Sequence, residues 1–343
     1  MHFMKFSTID IFRKKFLLIH ILFIMFFLQI NAQTMTDLKF DENGKFKIIQ
    51  FTDIHFDIEN QSESDSVINN MTNIIVDEKP NLVVLTGDIV TSKPVEKAWE
   101  KVTEPMRVAK IPWAVVFGNH DHEHGYTNKE IMDYLVTLPN NYSEYGPENI
   151  SGIGNYVRQI KSSDSEELKA ILYFMDSNAY TGEENNTELG DYDWIKFDQI
   201  KWYREQSKNY TQKNDMEQLP ALAFFHIPLP EYDLIKKFPT TVGDRDEEVC
   251  SPKINSGMYN AFLESKDVMG MFVGHDHENN YIGTLNNICL AYGCKTGKNS
   301  YGKLDKGGRV ILLYEDERKF DTWLHTTNEL VKNFVTYPDS FSK

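Results

Sequence analysis

From residue 45 onward, apolar and polar positions alternate in blocks that predict regular structure. "KFKIIQF" (45–51) predicts a strand. The segment after it, "DSVINNMTNIIVDEKP", places Val67, Met71, Ile74 and Ile75 on one helical stripe that Pro80 ends. "NLVVLTGD" is a short continuous apolar run, the pattern of a parallel strand covered on both faces. A single helix is expected from Pro94 to about Lys110, with Val95, Ala98 and Val102 facing inward, and "PWAVVFGNHD" predicts a further strand. Strand and helix in alternation predict βαβ units and a partly parallel sheet.

The second half changes texture. "LKAILYFMDS", "PALAFFHIP", "VMGMFVGHDH", "NICLAYG", "GRVILLYED" and "KFDTWLH" predict strands, with two helices between them, at "WIKFDQIKWYREQS" and "GMYNAFLES". In the first of these helices Trp194, Ile195, Gln199 and Trp202 fall on one side. So many strands with so few helices predict an α/β chain with two mixed β-sheets packed as a sandwich and flanked by helices. Residues 125–160 and 231–255 read as long surface loops, which often frame a site.

The N-terminus has a different character. Lys5, Arg13, Lys14 and Lys15 precede the apolar run "FLLIHILFIMFFLQI", and "NAQ" follows with Ala32 as the small residue before a cut. This is the layout of a signal peptide over residues 1–32, and it predicts an exported protein, periplasmic or secreted, whose single domain spans 33–343. The apolar run is short for a spanning helix, so no stable membrane anchor is expected after cleavage. Cleavage removes four of the 36 basic and one of the 51 acidic residues, leaving 32 against 50 and a net charge of −18. That balance argues against nucleic acid as a partner, because such surfaces are basic. Cys250, Cys289 and Cys294 are too few for a disulfide framework.

Five predicted strands end in polar clusters: Asp53 and His55 in "TDIH", Asp88 in "TGD", Asn119 and His120 in "GNHD", His226 in "FFH", and His275 and His277 in "GHDH". Ligands collect beyond the carboxyl ends of strands in open α/β sheets, so clusters far apart in sequence are expected to converge. In "DIH" and "HDH" the first and third residues share a face of extended chain. Two carboxylates, an amide oxygen and imidazoles without a thiolate suit hard-to-borderline divalent metals. Each cluster alone is common by chance. All five, each behind an apolar strand, are not.

In this order the blocks "DIH", "GD", "GNHD", a lone His after a strand, and "GHDH" resemble the signature of calcineurin-like metallophosphoesterases, over about residues 45–325. "SPKINSGMYNAF" and "AYGCKTGKNSYG" further resemble the purple acid phosphatase-like group. The resemblance implies the αββα sandwich of that family and two divalent or trivalent ions, Fe, Mn or Zn. Asp53, His55 and His277 would hold the first ion, Asn119, His226 and His275 the second, and Asp88 would bridge them. It implies hydrolysis of a small phosphomonoester or phosphodiester by in-line attack of metal-activated hydroxide, with His120 as the catalytic proton donor. The chain departs from purple enzymes in two places: His55 stands where they carry glycine, and Thr91 where they carry a tyrosine ligand. The iron charge-transfer colour is therefore not expected. The family's usual partner for the catalytic histidine is missing, which leaves the group that orients His120 open, with Asp121 the nearest candidate in sequence.

A second reading keeps the fold and the metals but little or no turnover, as in relatives of the group described as inactive. A metallo-β-lactamase-type site, which needs HxHxDH, does not fit the His, Asp, His, Glu, His order of residues 120–124. His122, Glu123, His124 and Asp276 are expected at the solvent-facing rim, and Asp176 in a structural role. Lys236, Lys237 and Arg245 are candidates to meet a second phosphate.

Overall fold

The structure, a computed structural model, describes residues 37–182 and 188–342. The expected signal segment, residues 1–32, lies outside the described residues. Asp37–Lys343 forms one compact unit.

Two mixed sheets build its centre. The first has six strands in the order β13 (Lys332–Tyr337), β12 (Phe320–Thr326), β11 (Gly307–Tyr314), β2 (Lys45–Phe51), β3 (Leu82–Thr86) and β4 (Trp113–Val116). The last three run parallel, and β11 pairs antiparallel with β2. The second has seven strands, β1 (Leu38–Lys39), β5 (Tyr156–Lys161), β6 (Leu168–Phe174), β7 (Ala221–Phe224), β8 (Val268–Val273), β10 (Ile288–Tyr292) and β9 (Ile282–Leu285). Here β6, β7, β8 and β10 are parallel neighbours.

Strand periodicity explains the layering. Alternate residues point to opposite faces, so Phe46, Ile48, Leu82 and Val84 enter the core between the sheets, where they meet Leu172, Phe174, Leu222 and Phe224. Their neighbours Ile49, Phe51, Val83 and Leu85 face outward onto α1 (Gln61–Glu78), α2 (Val95–Val102), α3 (Glu104–Ala109) and α4 (Asn128–Leu135). On the far side Tyr173, Ala223 and Met271 pack under α5 (Phe197–Lys213), α6 (Tyr232–Lys236) and α7 (Met258–Ser265). Both sheets are covered on both faces, which is why their central strands read as unbroken apolar runs. The result is the expected helix–sheet–sheet–helix sandwich.

Some expectations from sequence are corrected. The single helix over 94–110 is two. Thr103 ends α2 by turning its hydroxyl onto the Trp99 carbonyl at 2.7 Å, and Pro105, which has no N–H to continue the ladder, sits in the first turn of α3. The segment 125–160 is not all loop. It contains α4, opened by a capping box between Thr127 and Glu130, and the strand β5. Likewise 231–255 contains α6, and β9 and β13 were not foreseen. Helix α5 begins at Phe197, so Trp194 and Ile195 precede it. Gln199 belongs to no apolar stripe: it caps the helix by accepting from the Lys196 amide at 2.7 Å and donates to Asn155 and the Asp176 carbonyl.

One buried polar residue ties the two sheets together where the site forms. Gln50, near the end of β2, donates to Thr86 Oγ1 at 2.8 Å within its own sheet and to the Val273 carbonyl at 3.0 Å across the sandwich. The carboxyl ends of β2, β3 and β4 are thereby held beside those of β7 and β8. Parallel packing of neighbours delivers five strand ends to one edge.

Candidate metal centre

All seven expected ligands lie at that edge, in the loops directly after these five strands. Asp53, His55 and His277 form one group and Asp88, His226 and His275 another; within each, one donor atom per residue lies within 4.8 Å of the others. The His55 and His277 ring centroids are 5.1 Å apart, and so are those of His226 and His275. Asp88 Oδ2 stands 3.1 Å from His226 Nε2 and 3.8 Å from His55 Nε2, so one carboxylate faces both groups. Asn119 is buried beside them, and the His120 ring lies 5.5 Å from that of His55.

The backbone takes strained turns to achieve this. Asp53 (φ 50°), His55 (φ 45°), Asp88 (φ 53°) and His275 (φ 79°) occupy the left-handed region, where a non-glycine residue is uncommon. Hydrogen bonds between loops hold these conformations. The His275 amide donates to the Asp53 carboxylate at 3.0 Å, the His120 amide to Asp88 Oδ1 at 2.8 Å, and the His55 amide to the Asp88 carbonyl at 2.9 Å. Gly274 is required by proximity: a Cβ there would lie 2.6 Å from Asp53 Oδ2 and closer still to Thr52 Oγ1.

Whether these residues suit a cation is answered by their unpartnered atoms. His55 Nε2, Asn119 Oδ1, His226 Nε2, His275 Nε2 and His277 Nδ1 are all buried with no hydrogen-bond partner. A buried polar atom left so costs about 1–3 kcal/mol. The opposite edges of two of these side chains are already committed. His226 Nδ1 is 2.7 Å from the Thr86 carbonyl, which accepts its proton and turns Nε2 toward Asp88, and Asn119 Nδ2 donates to Tyr180 Oη at 2.7 Å, leaving Oδ1 without a partner.

The electrostatics agree. Burial would raise both aspartates, but hydrogen bonding from His277 holds Asp53 below the ordinary carboxylate range, and the His226 charge does the same for Asp88. Burial pushes the imidazole of His55 down to about 4 and that of His275 to about 3. At His226 burial acts the same way, yet the adjacent Asp88 carboxylate outweighs it and raises the imidazole to about 10. Ionised carboxylates beside neutral imidazoles are the forms that bind metal, and a cation held by His226 and Asp88 would take the place of that proton. The donor set is nitrogen and oxygen throughout, suited to two borderline or hard ions.

Around the centre, several expectations change. Asp121 does not orient His120. Its buried carboxylate is taken up by the backbone N–H groups of Gly118, Asp88, Ile89 and Val90. Burial and the Asp88 charge push it up to about 6. Asp276 is not at the rim either: it is buried and accepts the Tyr292 hydroxyl at 2.5 Å. Asp176 is structural, accepting the amides of Ile153 and Asn178. Lys236 and Arg245 donate to backbone carbonyls of Glu247 and of Lys236, and Lys237 pairs with Asp233 at 2.7 Å, so all three already have partners. The partner that His120 does have is Glu123, with Oε2 2.8 Å from Nδ1. Sequence reading also missed a ring of tyrosines. Tyr192 stands edge-on to His275, Tyr301 stacks on His277 with centroids 4.2 Å apart, and Tyr180 touches Asn119. These come from loops without a metal-site pattern; only the i, i+3 spacing of His120 and Glu123 was a visible signal.

Comparison with known proteins agrees with this geometry. Residues 46–279 match the calcineurin-like phosphoesterase family. A protein of Arabidopsis thaliana named "Probable inactive purple acid phosphatase 29" is 33% identical over 83% of this chain and 81% of its own. Phosphatase DCR2 of Saccharomyces cerevisiae is 34% identical over 82% of this chain and 54% of its own. A solved dimetal phosphatase from Danio rerio superposes with a TM-score of 0.58 over 85% of this chain and 98% of that one, at 13% identity, a likeness of fold.

Proposed function

The chain belongs to the calcineurin-like phosphoesterase family, and from that premise we propose that it is an exported phosphoesterase that works with two metal ions on small phosphomonoesters or phosphodiesters. The observation that carries the reading is the gathering of four imidazoles around two ionised aspartates, with His226 Nε2 and His55 Nε2, both buried without a hydrogen bond, 3.1 and 3.8 Å from Asp88 Oδ2. A structural histidine cluster would spend those atoms on hydrogen bonds. In this reading Asp53, His55 and His277 would hold one ion, Asn119, His226 and His275 the other, and Asp88 would serve both. Ions held there would supply charge stabilisation for the attacking and leaving oxygens of an in-line displacement and would activate water near neutral pH.

The chain's own groups supply the rest. Asn119 offers a neutral oxygen, which keeps the centre's net charge positive enough to attract a phosphate dianion. His120, partly exposed with its ring 5.5 Å from that of His55, would give a proton to the departing alkoxide. With nitrogen and oxygen donors only, the centre accepts Fe, Mn or Zn, and Thr91 in place of a tyrosine ligand leaves no iron chromophore.

A second reading is a metal-binding protein with little or no turnover, favoured by the word "inactive" in the name of the Arabidopsis relative. A panel of phosphomonoesters and phosphodiesters, assayed with Mn²⁺, Zn²⁺ or Fe²⁺ and again after chelation, separates the two. Metal-dependent hydrolysis of at least one ester is expected. Two bound metals per chain with no hydrolysis of any ester would establish the second reading instead.

A further inference from the structure

We infer that Glu123 is the positioning residue for His120, and that Tyr180 couples this pair to the metal ligand Asn119. The inference rests on the phosphoesterase reading for its catalytic meaning, though not for its geometry. The tetrapeptide His120–Glu123 is a tight turn closed by the Glu123 amide on the His120 carbonyl at 3.2 Å. Its inward carboxylate, Asp121, is anchored on four backbone amides and fixes the turn against the loop after β3. Its outward carboxylate, Glu123, turns back onto the imidazole. Oε2 takes the Nδ1 edge of His120 at 2.8 Å, and Oε1 lies 3.4 Å from Tyr180 Oη. The same hydroxyl accepts from Asn119 Nδ2 at 2.7 Å. A continuous chain therefore runs Asn119, Tyr180, Glu123, His120.

The chemical consequence follows from which nitrogen is occupied. With Nδ1–H donating to Glu123, Nε2 is the nitrogen left to meet the ester. As the P–O bond to the leaving group breaks, the electron pair departs on the ester oxygen and takes the Nε2 proton. The imidazole that remains is neutral and keeps its proton on Nδ1, where the carboxylate already holds it. The attacking water forms the new P–O bond, and the proton it releases restores Nε2 through solvent. Without Glu123 the ring is free to rotate and to adopt the other tautomer, which free imidazole favours, and Nε2 is no longer committed to the ester. The side chains of His120 and Glu123 are 36% and 40% exposed, so the pair contributes orientation far more than stability.

The test uses Glu123→Gln, Glu123→Asp and His120→Asn in the zinc-loaded full chain, with two readouts. The first compares an alkyl phosphate, whose leaving group needs a proton, with p-nitrophenyl phosphate, whose leaving group does not. Glu123→Gln is expected to lower kcat on the alkyl ester by about 10–100-fold and on the nitrophenyl ester by under about threefold, with KM little changed. Glu123→Asp is expected to recover part of the loss, and adding Glu123→Gln to His120→Asn to cost nothing more. The second readout is the His120 ring by ¹⁵N NMR: wild type carries the neutral proton on Nδ1 and Glu123→Gln shifts it toward Nε2. Equal losses on both esters, or an unchanged tautomer, would overturn the assignment. A tautomer shift in a protein that hydrolyses no ester would sustain the pairing and instead refute the phosphoesterase reading.

Discussion

Asp121 lies directly behind Asp88, its carboxylate accepting the Asp88 amide at 3.0 Å and the Ile89 amide at 2.8 Å. The residue that faces both metal groups is therefore held from the rear by a neighbour on the next strand's loop. Asp121→Ala would leave several buried N–H groups unpaired, and a loss of at least about 3 kcal/mol is expected from urea denaturation of the metal-free protein.

Gly274 tests the closeness of the two sheets at the site. Its missing side chain leaves room for Thr52 and Asp53, so Gly274→Ala is expected to destabilise the protein by about 2–4 kcal/mol through overpacking. Gly257→Ala is the control. There a Cβ meets nothing within 4 Å, and only the φ of +84° opposes it, for a cost of about 1 kcal/mol. Paired melting curves of the two variants check the difference.

Tyr180 orients Asn119 by taking its amide hydrogen. Tyr180→Phe frees the amide to rotate, and an affinity loss of about tenfold is expected for one metal of the two, with the other unchanged. Competition with a zinc-binding dye resolves the two steps.

Far from the site, Glu78 at the end of α1 accepts His325 Nδ1 at 2.9 Å, Trp323 Nε1 at 3.2 Å and Lys47 Nζ at 3.0 Å. Burial would raise its carboxyl, but the bonds from His325 and Lys47 overcome this and hold it below its ordinary value of 4.5. A depressed folded-state pKa gives stability that is complete above 4.5 and is lost as pH falls through the lowered value. Glu78→Gln should therefore cost about 1–2 kcal/mol at pH 7, with the gap to wild type closing as pH drops below 4.5. Denaturation midpoints across that range check it.

Much of this was legible in the sequence because strand physics writes it there. β3, β8 and β10 are covered on both faces and so appear as unbroken apolar runs, and each expected ligand follows its strand within a few residues. The two-helix break at Thr103 was less visible, since Pro105 fits a helix start as well as a helix end. Segment 125–160 read as loop because α4 and β5 are short and half-exposed, with polar faces that dilute any periodicity. The partner of His120 was not legible for another reason: adjacency in sequence favours Asp121, but successive residues in a turn point in different directions. Tyr180 and Tyr301 reach the site from loops whose course depends on the whole sandwich, and no local pattern announces them.

The central claim is that seven side chains hold two ions, with Asp88 between them. Metal stoichiometry by inductively coupled plasma mass spectrometry, on wild type and Asp88→Asn purified with excess Zn²⁺ and dialysed, tests it most directly. The account predicts two metals per chain in wild type and at most one in Asp88→Asn. One metal or none in wild type, or two retained in the variant, would contradict it.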